Sequence, residues 1–168
     1  WGAFLNAGEK CVGRDYVLVD AAVADAFLDG LVSTVKRFYA ENAEESKFFC
    51  RLINERAATR VSDLLKASKT SRKGNVLIGG GCDVSKRYCA PTVVDFGTDA
   101  AAFAKSVLME EELFAPILPV LQYTGGLDQA IDFINQGDKP LVLYGFSGDT
   151  AVHERLKNET SSVCKVCL

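Results

Sequence analysis

The sequence predicts an α/β fold, an open and largely parallel sheet with flanking helices. Three observations carry that expectation. Short runs rich in Val, Ile, Leu and Tyr alternate along the chain with longer segments whose apolar residues recur at helical spacing. That alternation favours parallel strands, because each helix returns the chain across the sheet before the next strand begins. The third observation is bulk: 168 residues, 48% hydrophobic and 24% charged, match one ordinary globular domain able to bury a sizeable core.

The first strand is YVLVD, residues 16–20, with Val17 and Val19 alternating on one face. From Ala21 to Tyr39, Val23, Phe27, Leu31, Val35 and Phe38 form an apolar stripe. Acids lie early and Lys36 and Arg37 late, a charge order that suits a helix macrodipole. NAEESK is a polar connection. A second helix is expected over residues 54–68, through Ala57, Val61, Leu64 and Leu65, with Asn54 as its cap. NVLIGGG reads as a strand and glycine turn, and APTVVDF and PILPVLQY as two further strands, with an antiparallel excursion in this middle region. LDQAIDFIN then makes a short helix, LVLYGFS a buried strand and TAVHERLKNE a final helix. No internal repeat or low-complexity linker interrupts this order.

Charge and composition exclude several classes. The net charge is −3 with Lys and Arg scattered, so no nucleic-acid footprint is expected. No apolar run approaches the roughly 20 residues that span a bilayer, and no basic-then-apolar leader opens the chain. An intracellular, cytoplasmic setting is the expectation. The 6 cysteines, at positions 11, 50, 82, 89, 164 and 167, are even in number, as in a disulfide framework. Size and apolar content favour free thiols in a reducing compartment instead. Cys164 and Cys167 have redox or metal-ligand spacing, but with His153 as the 1 histidine no second ligand pair exists, and no metal site is expected.

Candidate sites narrow on inspection. Gly79–Gly81 is followed by neither the third fingerprint glycine nor a Gly-Lys-Ser/Thr sequence, so it reads as a turn between strands. His153 lies on a helical pattern with no nucleophile motif pointing to it, and a surface or half-buried histidine is expected. Glu110, Glu111 and Glu112 are a solvated acidic run by default. They stop abruptly at Leu113-Phe114-Ala115-Pro116, where a carboxylate beside an aromatic suits a sugar diol and a flat heterocycle. Cys11 is the odd cysteine, set among Asn6, Gly8, Glu9 and Lys10 directly before an apolar run. Cysteine usually packs as a small hydrophobe, so a buried structural thiol remains one reading. A reactive thiol is the other: Lys10 and Arg14 are near in sequence to favour a thiolate, and Gly8 and Gly13 let the backbone turn.

Taken together, FLNAGEKCVGRDYVLV, RYCAPTVV, MEEELFAPILPV and AIDFINQGDKPLVLYGFS resemble, in order, stretches of the aldehyde dehydrogenase superfamily, of the class 3 or fatty-aldehyde type. The resemblance implies that residues 1–168 are a partial catalytic domain. The cofactor-binding domain, with the general-base glutamate and oxyanion asparagine, belongs before Trp1, and the final segments after Leu168. Cys11 matches the nucleophile whose thiolate attacks an aldehyde, giving a thiohemiacetal and then a thioester that water hydrolyses to a carboxylic acid. Glu112 matches the glutamate on the nicotinamide ribose, Phe114 the aromatic beside the nicotinamide, and Asn6 and Gly8 support the nucleophile loop.

By the same resemblance the cofactor is NAD or NADP and the substrate a small-molecule aldehyde. The parent protein is a homodimer, and membrane association would run through a C-terminal segment beyond this chain. The chain departs from the family at Glu9 (usually Gln), at Ala115 (usually Gly), at Gly13-Arg14, and in its ending SSVCKVCL. Rival readings are a semialdehyde or acyl-phosphate reductase, and a non-catalytic interaction protein derived from the family. The isolated chain is expected to be inactive and prone to aggregate through uncovered apolar surface.

Overall fold

Most apolar runs become the element their spacing implies, but LVLYGFS, expected as a buried strand, yields only the half-buried Val142–Tyr144 and leaves Phe146 exposed. The computed structural model describes residues 1–71 and 73–167, and of 165–167 the backbone alone. The elements are β1 (Val17–Asp20), α1 (Ala24–Tyr39), α2 (Glu55–Ser71), β2 (Asn75–Ile78), β3 (Cys82–Asp83), β4 (Tyr88–Cys89) and β5 (Thr92–Asp95). They continue as α3 (Ala100–Ala104), β6 (Ile117–Tyr123), α4 (Gly126–Gln136), β7 (Val142–Tyr144), α5 (Thr150–Glu159) and β8 (Lys165–Cys167). The chain divides into two compact units, Trp1–Gln122 and Tyr123–Leu168.

The first unit is built on an open four-stranded sheet in the order β1-β6-β5-β2. β5 and β6 run parallel, Thr92 opposite Ile117 and Asp95 opposite Val120, whereas β2 runs antiparallel to β5 with an irregularity between Val76 and Ile78. The sheet is therefore mixed, with the antiparallel pairing in the middle of the sequence as expected. Residues 117–121 of β6 are all buried. Successive strand residues face opposite ways, so burial of every one means that both faces are covered. β6 holds this interior place although Pro119 has no N–H for the ladder.

α1 forms where its periodicity predicts, and Leu31 and Val35 of the predicted stripe pack inward, but the face is rotated at both ends of the helix. Ala24, Leu28, Val35 and Tyr39 are buried, whereas Val23, Phe27 and Phe38 are exposed. Val35 belongs to both stripes, the other buried residues are each one position further on, and both stripes have helical spacing. Ala24, 1% exposed, lets the helix approach more closely than a side with Phe27 would. Tyr39 then stacks edge-on against Phe49 at 4.9 Å, and Phe49 against Tyr88 at 6.1 Å. Those rings join the end of α1 to the antiparallel hairpin β3–β4.

That hairpin corrects the free-thiol expectation at two positions. Cys82 and Cys89 face each other across it and their sulfurs are bonded. The free-thiol expectation rested on chain size, apolar content and compartment, and did not weigh which cysteines a short hairpin sets side by side. Cys11, Cys50 and Cys164 are free and exposed. The side chain of Cys167, and with it the Cys164–Cys167 pairing considered above, lies outside the described residues.

The second unit pairs β7 with β8 in parallel, Val142 opposite Lys165 and Tyr144 opposite Cys167. β8 has no counterpart among the predicted strands. α4 and α5 are tied by Arg155, whose guanidinium reaches Asp128 and Glu159 at 2.6 Å each. His153 is half-buried on α5, and its Nε2 is enclosed without a hydrogen-bond partner. Among the described residues, no helix is long and apolar enough to cross a membrane.

Candidate active site

Before Cys11 the backbone takes an unusual course. Asn6, Ala7 and Gly8 have φ of 54°, 54° and 78°, three consecutive residues in the left-handed region. For a residue with a Cβ that region costs roughly 1–2 kcal/mol, so Asn6 and Ala7 must be held there by their surroundings. Ala7 is 1% exposed. The Asn6 side-chain amide donates to the Glu9 carbonyl at 3.1 Å. A Cβ on Gly8 would lie 2.0 Å from the Ala115 carbonyl oxygen, so only glycine permits that approach. Glu9 accepts the Ile53 N–H at 3.0 and 3.3 Å. Beyond these anchors a turn closed by Gly13 N–H on the Lys10 carbonyl, 2.8 Å, carries Cys11 at the surface.

The two cations that sequence offered to this thiol are engaged elsewhere. Lys10 lies 5.9 Å from the centre of the Trp1 ring, and the Arg14 guanidinium fills the space where a Cβ on Gly2 would stand. The expectation that they favour a thiolate on Cys11 finds no support in these contacts.

The acidic run meets the same loop from the other side. Leu113 is fully buried, and the residues flanking it, Glu112 and Phe114, are exposed. Both polar groups of Leu113 are held by side chains from distant segments. Asp15 accepts its N–H at 2.8 Å, and Arg60 of α2 donates to its carbonyl. Arg60 also reaches the Phe114 carbonyl at 3.3 Å and the Glu111 carboxylate at 3.5 Å. Phe114 sits at φ 42°, another left-handed non-glycine residue, and the Arg60 clamp spans that bend. Burial pushes the Asp15 carboxyl above its ordinary value of 3.8; the Leu113 N–H opposes that rise and the Glu112 charge adds to it.

The structure thus brings the two sequence-predicted stretches together. Gly8 abuts Ala115 and Asp15 binds Leu113, so the Cys11 loop and the Glu112–Phe114 segment share one surface region. Asn6, Gly8, Cys11, Glu112 and Phe114 all belong to it. Asp15, Arg60 and the anchoring role of Glu9 were missed by sequence reasoning. Their one signal is an acid or base beside an apolar stretch, which many solvated residues share. Chemically, the region offers an accessible thiol on a fixed loop, and an accessible carboxylate two residues from a half-exposed aromatic ring. Among the described residues, no group of three or more His, Cys, Asp or Glu side chains gathers as a metal site would require.

Comparison with known proteins is consistent across sequence and structure. The chain is 38% identical over 162 residues to "Aldehyde dehydrogenase, dimeric NADP-preferring" of Rattus norvegicus, covering 96% of this chain and 33% of the relative. It is 40% identical over 162 residues to "Aldehyde dehydrogenase family 3 member A2" of Pongo abelii, covering 96% of this chain and 31% of the relative. The solved substrate-bound state of Staphylococcus aureus AldH superposes with a TM-score of 0.87 at 38% identity, covering 98% of this chain and 34% of that one. The chain therefore spans about a third of the length of these relatives. The profile of the aldehyde dehydrogenase family matches residues 1–165, and with that match the chain belongs to the aldehyde dehydrogenase family.

Proposed function

We propose that the protein carrying this chain oxidises aldehydes to carboxylic acids with a nicotinamide cofactor, and that Cys11 is its nucleophile. The observation that carries this reading is the junction of two stretches: Gly8 against the Ala115 carbonyl and Asp15 on the Leu113 N–H. It sets an exposed thiol loop beside an exposed carboxylate and aromatic.

The Cys11 sulfur, as thiolate, adds to the aldehyde carbon and forms a thiohemiacetal, whose oxygen takes hydrogen bonds from the Cys11 backbone N–H and a side chain outside this chain. The nicotinamide, when bound, supplies the hydride acceptor. The thioester left on Cys11 is hydrolysed by water, which returns the thiol and releases the acid. Covalent attachment divides one difficult oxidation into two easier steps. The residues present fit the cofactor's nicotinamide half. Glu112 is exposed, with carboxylate oxygens able to accept from ribose hydroxyls, and Phe114 offers a flat ring beside it. Asn6 and Gly8 shape the loop and take no part in bond making. The names of the relatives support a class 3 type and a dimeric parent.

The test is Cys11→Ser in the protein carrying this chain, followed by aldehyde-dependent reduction of NAD or NADP. The expected result is loss of activity by roughly three orders of magnitude or more, with the fold retained. A variant that keeps most of its activity would sink the assignment. The isolated 168 residues are expected to show none of this activity.

A further inference from the structure

Glu9 stands two residues before Cys11 at a position where the family usually has glutamine, and nothing above assigns it a part in the reaction. Its carboxylate accepts the Ile53 N–H through both oxygens, at 3.0 and 3.3 Å, across 44 residues of sequence. Ile53 is itself fixed. Its carbonyl accepts from the Arg87 guanidinium at 3.3 Å, and the neighbouring Leu52 N–H donates to the Arg87 carbonyl at 2.9 Å. One residue later Asn54 caps α2, accepting the Ala57 N–H at 2.9 Å. The Glu9 carboxylate is therefore bound to the rigid start of a long helix. On its own side the Glu9 carbonyl is held by Asn6, inside the left-handed stretch that leads to Cys11. A charge-assisted hydrogen bond at this point links a strained loop to a fixed frame.

We infer that Glu9 is a positioning residue for Cys11, fastening the nucleophile loop to the Ile53 N–H at the start of α2. The inference rests on the proposed role of Cys11 for its functional meaning, but the anchor itself stands on the geometry. It also accounts for the departure from glutamine. What the position requires is an acceptor for one backbone N–H, and a carboxylate meets that requirement as a side-chain amide does.

The test uses Glu9→Ala and Glu9→Gln in the protein carrying this chain. Two quantities are read: hydrogen exchange of the Ile53 amide, and the rate of iodoacetamide alkylation of Cys11 relative to Cys50 and Cys164. Glu9→Ala is expected to speed exchange at Ile53 by about tenfold, leave the Val93 and Val94 amides of β5 unchanged, and lower Cys11 alkylation towards that of the other two thiols. Glu9→Gln is expected to rescue both readings to within about twofold of the parent. A Glu9→Ala variant with unchanged Ile53 exchange overturns the proposal, as does failure of glutamine to rescue. If Cys11 of the parent reacts no faster than Cys50 and Cys164, the catalytic reading fails, while Ile53 exchange still decides the anchor.

Discussion

Asp15 shows how one carboxyl can join two segments and still oppose folding in its charged form. Its pKa in the fold lies above the ordinary 3.8, with burial the largest cause. Between that ordinary value and the raised one, the folded chain keeps a proton that the unfolded chain has released. The stability that Asp15 contributes therefore falls as pH rises through this window and is level above it. Asp15→Asn keeps an oxygen for the Leu113 N–H and removes both the buried charge and its repulsion with Glu112. The variant is expected to be more stable than the parent at neutral pH and to lose the decline through the window, as read by urea denaturation across a pH series. A less stable variant at neutral pH would mean that the charge strengthens the Leu113 bond more than burial penalises it. Gly8 makes the steric counterpart. Gly8→Ala combines a left-handed residue with a contact 2.0 Å from the Ala115 oxygen, and a loss of about 2 to 4 kcal/mol in unfolding free energy is expected.

α2 gathers most of what fixes the site. Asn54 caps its start, Ala58 lies under the buried Cys89 sulfur at 3.9 Å, and Arg60 clamps the carbonyls on either side of the Phe114 bend. Lysine at position 60 cannot reproduce a planar fork that reaches two carbonyls and a carboxylate. Arg60→Met is expected to cost about 1 to 3 kcal/mol, the penalty for leaving the buried Leu113 carbonyl without a donor. In the protein carrying this chain it should raise KM for the nicotinamide cofactor more than it lowers kcat, because it frees the Glu112–Phe114 segment and leaves Cys11 alone. Steady-state kinetics checks that split, and an unchanged KM would count against the clamp. α1, α2, α4 and α5 were legible from periodicity, whereas α3 was not, and only Leu31 and Val35 of the predicted α1 stripe pack inward. Val23, Phe27 and Phe38 satisfy a helical stripe as well as Ala24, Leu28, Val35 and Tyr39 do, and only packing chooses between them.

Within the first unit, what sequence could not disclose about the candidate site is a matter of separation. Cys11, Glu112 and Phe114 were singled out because local chemistry and family resemblance coincide there. The bonds that assemble them span 98 residues from Leu113 to Asp15, 53 from Arg60 to Leu113 and 44 from Glu9 to Ile53. No local pattern reports a partner at such range. Each unit also leaves large apolar side chains in water. Phe48 at 81% and Ile53 at 70% do so in the first, and Phe146 at 83% in the second. The isolated chain is expected to self-associate, with a sedimentation coefficient that rises with concentration; a concentration-independent monomer would contradict this.

The strand order β1-β6-β5-β2 has a consequence for synthesis. β1 ends at Asp20 and its neighbour β6 ends at Tyr123, so about a hundred residues must be translated before that pair can form. At ordinary elongation rates the delay is about 5 to 20 s. During it, β1 lacks the β6 neighbour that it has in the folded unit, and Cys11 emerges from the ribosome well before that pairing is made.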